Sequence, residues 1–352
     1  MAMSDPIVSV LLTSYNQGPW LREAIESVLA QTYRAWELIV IDNGSTDHSP
    51  AIIGTYRTHP QIKVLRYERN SPHTMICNAG VAAASGQYIS LLCSDDYYLP
   101  KKLERQVTVF ESLPAEYGVV YSSGYRLLPS GQMMLLPCGL HRGNILEALL
   151  TQPQFFPPIS PLVKRECHLR YPYNEKIFME GEGIFSRIAL GYLFEVIPEP
   201  LVVMRDHEGS VGKEIRPNVE RNVIMYDELF NHPEFPCGLK HLRGLTLGAT
   251  YRLGGWEAIR REWDYCQGKK WLREAIRYHP RLRRDPRVLV GLGMSFLPRS
   301  LANVCNRMVN LVVGAPTPPP PASVGTPVHA GSTDEKNDAS SLAEDQSHSV
   351  HG

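Results

Sequence analysis

Apolar runs of strand length alternate with amphipathic stretches through the first hundred residues. Residues 7–15 (IVSVLLTSY) are β-branched and apolar for the length of one strand. Gly18 and Pro19 punctuate its end, and Pro19 suits a first helical turn. Leu21, Ile25, Val28 and Leu29 then recur at helical spacing. A second strand over 36–41 runs into residues 42–47 (DNGSTD), a turn rich in helix N-cap residues. A third strand over 62–67 leads through a polar loop to a helix at 75–84. The fourth, 88–93 (YISLLC), stops at Ser94, Asp95 and Asp96, and Pro100 opens another helix. Near-continuous apolar strands alternating with helices predict an α/β fold with a mostly parallel sheet covered on both faces. Such sheets bind ligands at the carboxyl ends of their strands, where each of these polar clusters falls.

The pattern changes further on. Residues 117–210 read as short strands (118–122, 194–197 and 201–204), many prolines and one helix near 183–190, the second half of the same domain. From about 219 to 310 the chain becomes helical and basic, with Lys269, Lys270, Arg273, Arg277, Arg281, Arg283, Arg284 and Arg287 close together. From Ala315 the composition turns to proline, serine, glycine and acids, too poor in apolar surface to offset chain entropy, and disorder is expected. The expected organisation is therefore a domain over 1–215, a helical extension over 216–314 and a tail over 315–352.

Charge adds little at the level of the whole chain. The 36 basic and 36 acidic side chains cancel, so no overall field points to nucleic acid. The 7 cysteines include no C-x-x-C pair, which argues against a zinc site or a disulfide framework and for a reducing compartment. The N-terminal residues show no signal-peptide pattern, and no apolar run reaches the roughly 18 residues of a membrane span. A cytoplasmic location is expected.

Two adjacent carboxylates after an apolar strand, Asp95 and Asp96, repel each other unless a cation intervenes. Hard oxygen ligands favour Mg²⁺ or Mn²⁺ over zinc, although an acid here can also simply cap the next helix. Asp42 ends the second strand, where a carboxylate either accepts the imide N–H of uracil or thymine or builds an Asx turn. Thr13, Tyr15 and Asn16 end the first strand, and Tyr15 either stacks on a base or forms a rim contact.

Together these segments resemble the family 2 glycosyltransferases with the GT-A (nucleotide-diphospho-sugar transferase) fold. The likeness runs through 8–16 (VSVLLTSYN), 24–33 (AIESVLAQTY), 37–47 (ELIVIDNGSTD), 78–80 (NAG), 86–89 (GQYI) and 94–96 (SDD). It closes at 191–192 (GY), 197–200 (IPEP) and 207–210 (HEGS), covering roughly 6–212. The resemblance implies a metal-dependent, inverting transferase using a nucleoside-diphosphate sugar, with a glycan or lipid-linked acceptor, in cell-envelope polysaccharide synthesis. It implies that Thr13, Tyr15, Asn16 and Asp42 hold the nucleoside, and that Asp95 is the second acid of a D-x-D metal site followed by Asp96. His207 matches a histidine associated with the diphosphate or its metal. Cys93 stands at the first D-x-D position and Cys77 where a basic residue is usual.

The family's catalytic base lies in an acidic pair about seven residues before an arginine. Residues 179–187 (MEGEGIFSR) place Glu180 at the first acid and Gly181 at the second, with Glu182 beside them. Either glutamate is a candidate for removing the acceptor hydroxyl's proton. The competing expectation is a non-catalytic nucleotide-sugar-binding or scaffold protein, suggested by Cys77, Cys93 and Gly181. A dinucleotide-dependent oxidoreductase lacks its G-x-G-x-x-G turn here, and a nucleotidyltransferase its early Gly-rich, Lys-bearing loop. The basic extension is either a solvated surface or a peripheral membrane patch aided by Phe296, Leu297, Leu301, Val304, Met308, Leu311 and Val312.

Overall fold

The computed structural model describes residues 7–152, 156–181, 183–210 and 213–313, with side chains described as far as residue 309. The expected tail at 315–352 lies outside the described residues. The first half runs β1 (Val8–Ser14), α1 (Gly18–Leu29), β2 (Trp36–Asp42), α2 (Ser49–Gly54), β3 (Ile62–Arg66), α3 (His73–Ala83), β4 (Tyr88–Cys93), β5 (Tyr97–Tyr98) and α4 (Lys102–Glu111). The second half adds β6 (Tyr117–Leu127), β7 (Met133–Leu136), α5 (Leu146–Thr151), β8 (Leu162–Lys164), α6 (Arg165–Arg170), α7 (Gly183–Ile188) and β9 (Leu193–Arg205). Five further helices follow: α8 (Ile215–Phe230), α9 (Arg243–Arg260), α10 (Tyr265–Tyr278), α11 (Pro286–Met294) and α12 (Arg299–Val313).

The strands form one sheet in the order β3-β2-β1-β4-β8-β6-β9-β5, with β7 paired to β6. Its first four members are parallel, as the apolar strand–helix alternation implies. Beyond β4 the sheet is mixed: β8 lies antiparallel between β4 and β6, and β6 pairs parallel with β9. The short β8 carries no alternation long enough to reveal it beforehand. The two short strands expected at 194–197 and 201–204 are one strand, β9. Pro198 and Pro200 fall where its register against β6 shifts, a bulge that tolerates their missing N–H groups.

Alternate β1 side chains serve opposite faces. Val8, Val10 and Leu12 pack with Leu21 and Ile25 of α1 and Leu103 and Val107 of α4. Leu11 packs with Ile39, Ile41 and Ile76 on the α3 side. Gly80 lets α3 approach, since a Cβ there would stand 2.8 Å from the Ile41 side chain. Behind the acidic turn, the fully buried Lys102 donates to Ser90 Oγ (2.7 Å) and Gln106 Oε1 (2.8 Å), tying α4 to β4. Burial without a carboxylate partner holds that amine well below its ordinary pKa.

The helical extension is joined to the sheet domain by a shared core. Leu229, Phe230, Phe235 and Leu242 pack with Leu149, Tyr171 and Phe185. Thr246 Oγ1 donates to Leu150 O (3.1 Å). α12 buries Ala302 and Asn306, the latter donating to Ile259 O and Arg260 O. Its other face leaves Leu301, Val304 and Met308 exposed, next to exposed Phe296 and Leu297. The side chains of Leu311 and Val312 lie outside the described residues.

Candidate active site

Parallel register delivers the candidate residues to one end of the sheet. Thr13 stands opposite Cys93, and Ser14 opposite Asp42. Asn16 follows in a left-handed conformation (φ 53°), and its Oδ1 accepts from Thr46 N at 2.8 Å. Gly44, at φ +80°, turns the facing loop where a Cβ would meet Arg69 backbone at 2.6 Å. Asp47 Oδ2 then accepts from Gly18 N (2.9 Å), closing the loop over the start of α1. Asn16 thus clamps the loop around Asp42.

Asp42 is 1% exposed. Its Oδ1 accepts from Ser45 N (3.0 Å), while Oδ2 has no hydrogen-bond partner among the described residues. Arg66 Nε lies 3.5 Å from that same Oδ2, an ion pair without hydrogen-bond geometry. A buried carboxylate oxygen left without a donor is costly, and a ligand N–H satisfies it. Tyr15, one residue past β1, is 42% exposed. Thr13 is buried, with Oγ1 3.2 Å from His73 Nε2.

The acidic turn is tight: Asp96 N donates to Cys93 O at 3.0 Å. β9 pairs with β5 and brings Arg205 and His207 beside it. Arg205 N donates to Asp96 Oδ1 (2.8 Å), its Nε to Asp95 O (3.1 Å) and its Nη2 to Glu23 (2.5 Å). His207 Nε2 lies 2.9 Å from Asp95 Oδ2, and its ring packs on Trp20 with centroids 4.3 Å apart. Burial first, and the neighbouring Asp95 charge second, push the Asp96 carboxyl well above the ordinary range.

Cys93 Sγ and one oxygen from each of Asp95 and Asp96 lie within 4.8 Å of one another. Two carboxylates short of positive charge, with an imidazole touching one of them, fit a divalent cation. Asp95 and His207 are its candidate holders, the carboxylate suiting Mn²⁺ or Mg²⁺ and the imidazole suiting later first-row ions.

The candidate base segment is anchored to α3: Thr74 Oγ1 donates to Ile177 O (2.7 Å) and Asn78 Nδ2 to Tyr173 O (3.0 Å). Glu180 is not solvent-facing. Its side chain is 0% exposed and is held by both terminal nitrogens of Arg187 and by Asn174 N (2.9 Å). Gly181 follows at φ +58°. Glu182 lies outside the described residues.

The sequence did not single out His73, Arg205 or Trp20. Arg205 sits two residues before His207, yet nothing in the chain says that its backbone N–H meets Asp96. His73 is one turn before Cys77 on α3, 3.6 Å from its sulfur, and desolvation lowers its pKa to about 4. That imidazole is therefore neutral near pH 7 and does not replace the basic residue missing at Cys77.

Residues 9–160 match the family model "Glycosyl transferase family 2". An uncharacterised glycosyltransferase from Rickettsia prowazekii is 37% identical over 124 residues, which are 35% of this chain and 38% of that protein. The match thus spans well under half of that relative's length. In structure the chain is similar to residues 1–349 of S. aureus TarS in complex with UDP-GlcNAc (TM-score 0.60, 17% identity, 85% of this chain and 87% of that one). It is also similar to a mannosyltransferase from Pyrobaculum calidifontis in complex with GDP-Man and Mn²⁺ (TM-score 0.55, 15% identity, 88% of both chains). Among the described residues, no helix is long and apolar enough to cross a membrane.

Proposed function

Because the chain belongs to the family 2 glycosyl transferases and has the GT-A fold, we propose that it moves a sugar from a nucleoside-diphosphate donor to an acceptor hydroxyl with inversion. The observation that carries this reading is one end of the sheet holding two complementary groups. Asp42 has an unsatisfied buried oxygen, and the Asp95–His207 pair lies beside a second buried acid. Asp42 accepts the imide N–H of uracil or thymine, with Tyr15 against the base, so UDP or dTDP donors are favoured. The UDP-GlcNAc bound by TarS supports that choice.

Asp95 and His207 hold the cation, Mn²⁺ or Mg²⁺. When bound, it would supply positive charge against the diphosphate leaving group. Arg205 fixes the acidic turn by donating its backbone N–H to Asp96 Oδ1 and its Nε–H to the Asp95 carbonyl, so the carboxylates need not reorganise during transfer. Glu182 is the base that takes the acceptor proton, because Glu180 is committed to Arg187 and Asn174. Glu180 positions the segment on which Glu182 sits. The acceptor is a glycan or lipid-linked sugar of cell-envelope synthesis. The exposed apolar stripe of α12, beside a basic surface, supports docking at the inner face of a membrane that carries such acceptors.

The test is release of nucleoside diphosphate from a panel of nucleotide-sugars with Mn²⁺ or Mg²⁺, beside Asp95→Ala and EDTA-treated protein. Turnover of one donor, lost in both controls, supports the transferase. Donor binding without turnover, even with glycan and lipid extracts present, overturns it for a non-catalytic binding protein.

A further inference from the structure

The acidic turn contains one atom that a purely oxygen-lined cation site does not have. Cys93 is the last residue of β4, and the Asp96 N–H bond to its carbonyl folds the turn back over it. That fold sets Cys93 Sγ within 4.8 Å of carboxylate oxygens of both Asp95 and Asp96. Carboxylate oxygens bind zinc at about 2.0–2.2 Å and thiolate sulfur at about 2.3 Å, so ligands on opposite sides of one ion stand roughly 4.5 Å apart. The three atoms lie within a few tenths of an ångström of that spacing, so small side-chain rotations bring them onto a single ion. Thr13 stands opposite Cys93 on the adjacent strand and fixes the position of that strand end.

We infer that Cys93 is a sulfur ligand of the cation held by Asp95, and that this chain prefers softer divalent ions, Zn²⁺, Co²⁺ or Mn²⁺, over Mg²⁺. The inference rests on the reading of Asp95 as a cation holder and adds to it a sulfur ligand and a selectivity. Its physical basis is ligand softness. Mg²⁺ takes oxygen and keeps its waters, whereas thiolate and imidazole favour later first-row ions. Binding converts the Cys93 thiol and the aqueous ion into a metal–thiolate bond, with one proton released to solvent.

The test uses Co²⁺ as the probe on the full chain, read by absorption rather than by turnover. Co²⁺ gives visible ligand-field bands whatever its ligands, and a near-ultraviolet sulfur-to-cobalt band only with thiolate. The wild type is expected to show both. Cys93→Ser and Cys93→Ala are expected to keep the visible bands and lose the near-ultraviolet one, which also separates Cys93 from the other cysteines. In competition, Zn²⁺ displaces Co²⁺ at stoichiometric amounts and Mg²⁺ does not. Cys93→Asp, which replaces sulfur by oxygen, shifts the Mg²⁺ to Mn²⁺ affinity ratio toward Mg²⁺. Visible bands without the sulfur band in the wild type, or a sulfur band that survives both Cys93 variants, overturn the inference and leave the Asp95–His207 site standing. Visible bands unchanged from those of the aqueous ion overturn both.

Discussion

Arg187→Met isolates the buried ion pair beneath the candidate base segment. Glu180 is 0% and Arg187 14% exposed, so solvent screens their interaction little. Removing the guanidinium leaves the Glu180 carboxylate with Asn174 N and strips Pro172 O of its donor at 2.5 Å. Breaking a buried pair from one side costs about 3–5 kcal/mol, because the remaining charge is stranded. At ~2–4 °C per kcal/mol for a domain of this size, melting falls by roughly 6–20 °C. The double variant Arg187→Met/Glu180→Leu strands no charge and recovers most of that loss. Urea and thermal unfolding followed by circular dichroism measure all three proteins. A loss below about 1 kcal/mol in Arg187→Met, the level of an exposed pair, refutes the reasoning. Kinetics add a second check on the same pair. Glu180→Gln should lose turnover only in proportion to unfolded protein, whereas Glu182→Gln should lose about 10²–10⁴ in kcat with its melting unchanged. The reverse pattern moves the base to Glu180.

Three further outcomes are expected. His168 is buried, and desolvation first, then Arg187, depress its pKa to about 4 against 6.5 for the free side chain. The unfolded chain therefore binds the proton more readily, so up to about 3 kcal/mol present above pH 6.5 is lost as pH falls toward 4. Urea midpoints of His168→Gln should fall less over that window, and parallel curves would exclude the effect. Asp42→Asn replaces one acceptor oxygen by a donor facing the base edge; UDP affinity by calorimetry should fall by ~1–3 kcal/mol, and an unchanged Kd removes Asp42 from base recognition. Leu301→Ser/Val304→Ser/Met308→Ser should cut co-sedimentation with anionic phospholipid vesicles without changing the melt, since all three side chains are already exposed. Equal sedimentation would disprove the docking face.

The chain's local patterns determined the parallel half of the sheet. Strands β1, β2 and β4 are near-continuous apolar runs, because both their faces are buried, while β3 at the sheet edge is partly exposed. The polar residues at their ends had to meet once those strands paired in parallel. That made Thr13, Asp42 and Asp95 legible as neighbours although 82 positions separate the first from the last. The three-residue β8 and the continuity of β9 across its prolines were not legible, since neither carries a period long enough to read. Long-range polar partners were hidden for a different reason. A side chain's type states what it can bond, but only packing chooses the partner. Nothing near residue 205 announces Asp96, and nothing in 179–187 says that Arg187 folds back to neutralise Glu180 rather than leaving it for an acceptor. The same holds for Cys93. Its place beside two acids was visible in the sequence, but the approach of its sulfur to both carboxylates was decided by the turn that closes over β4.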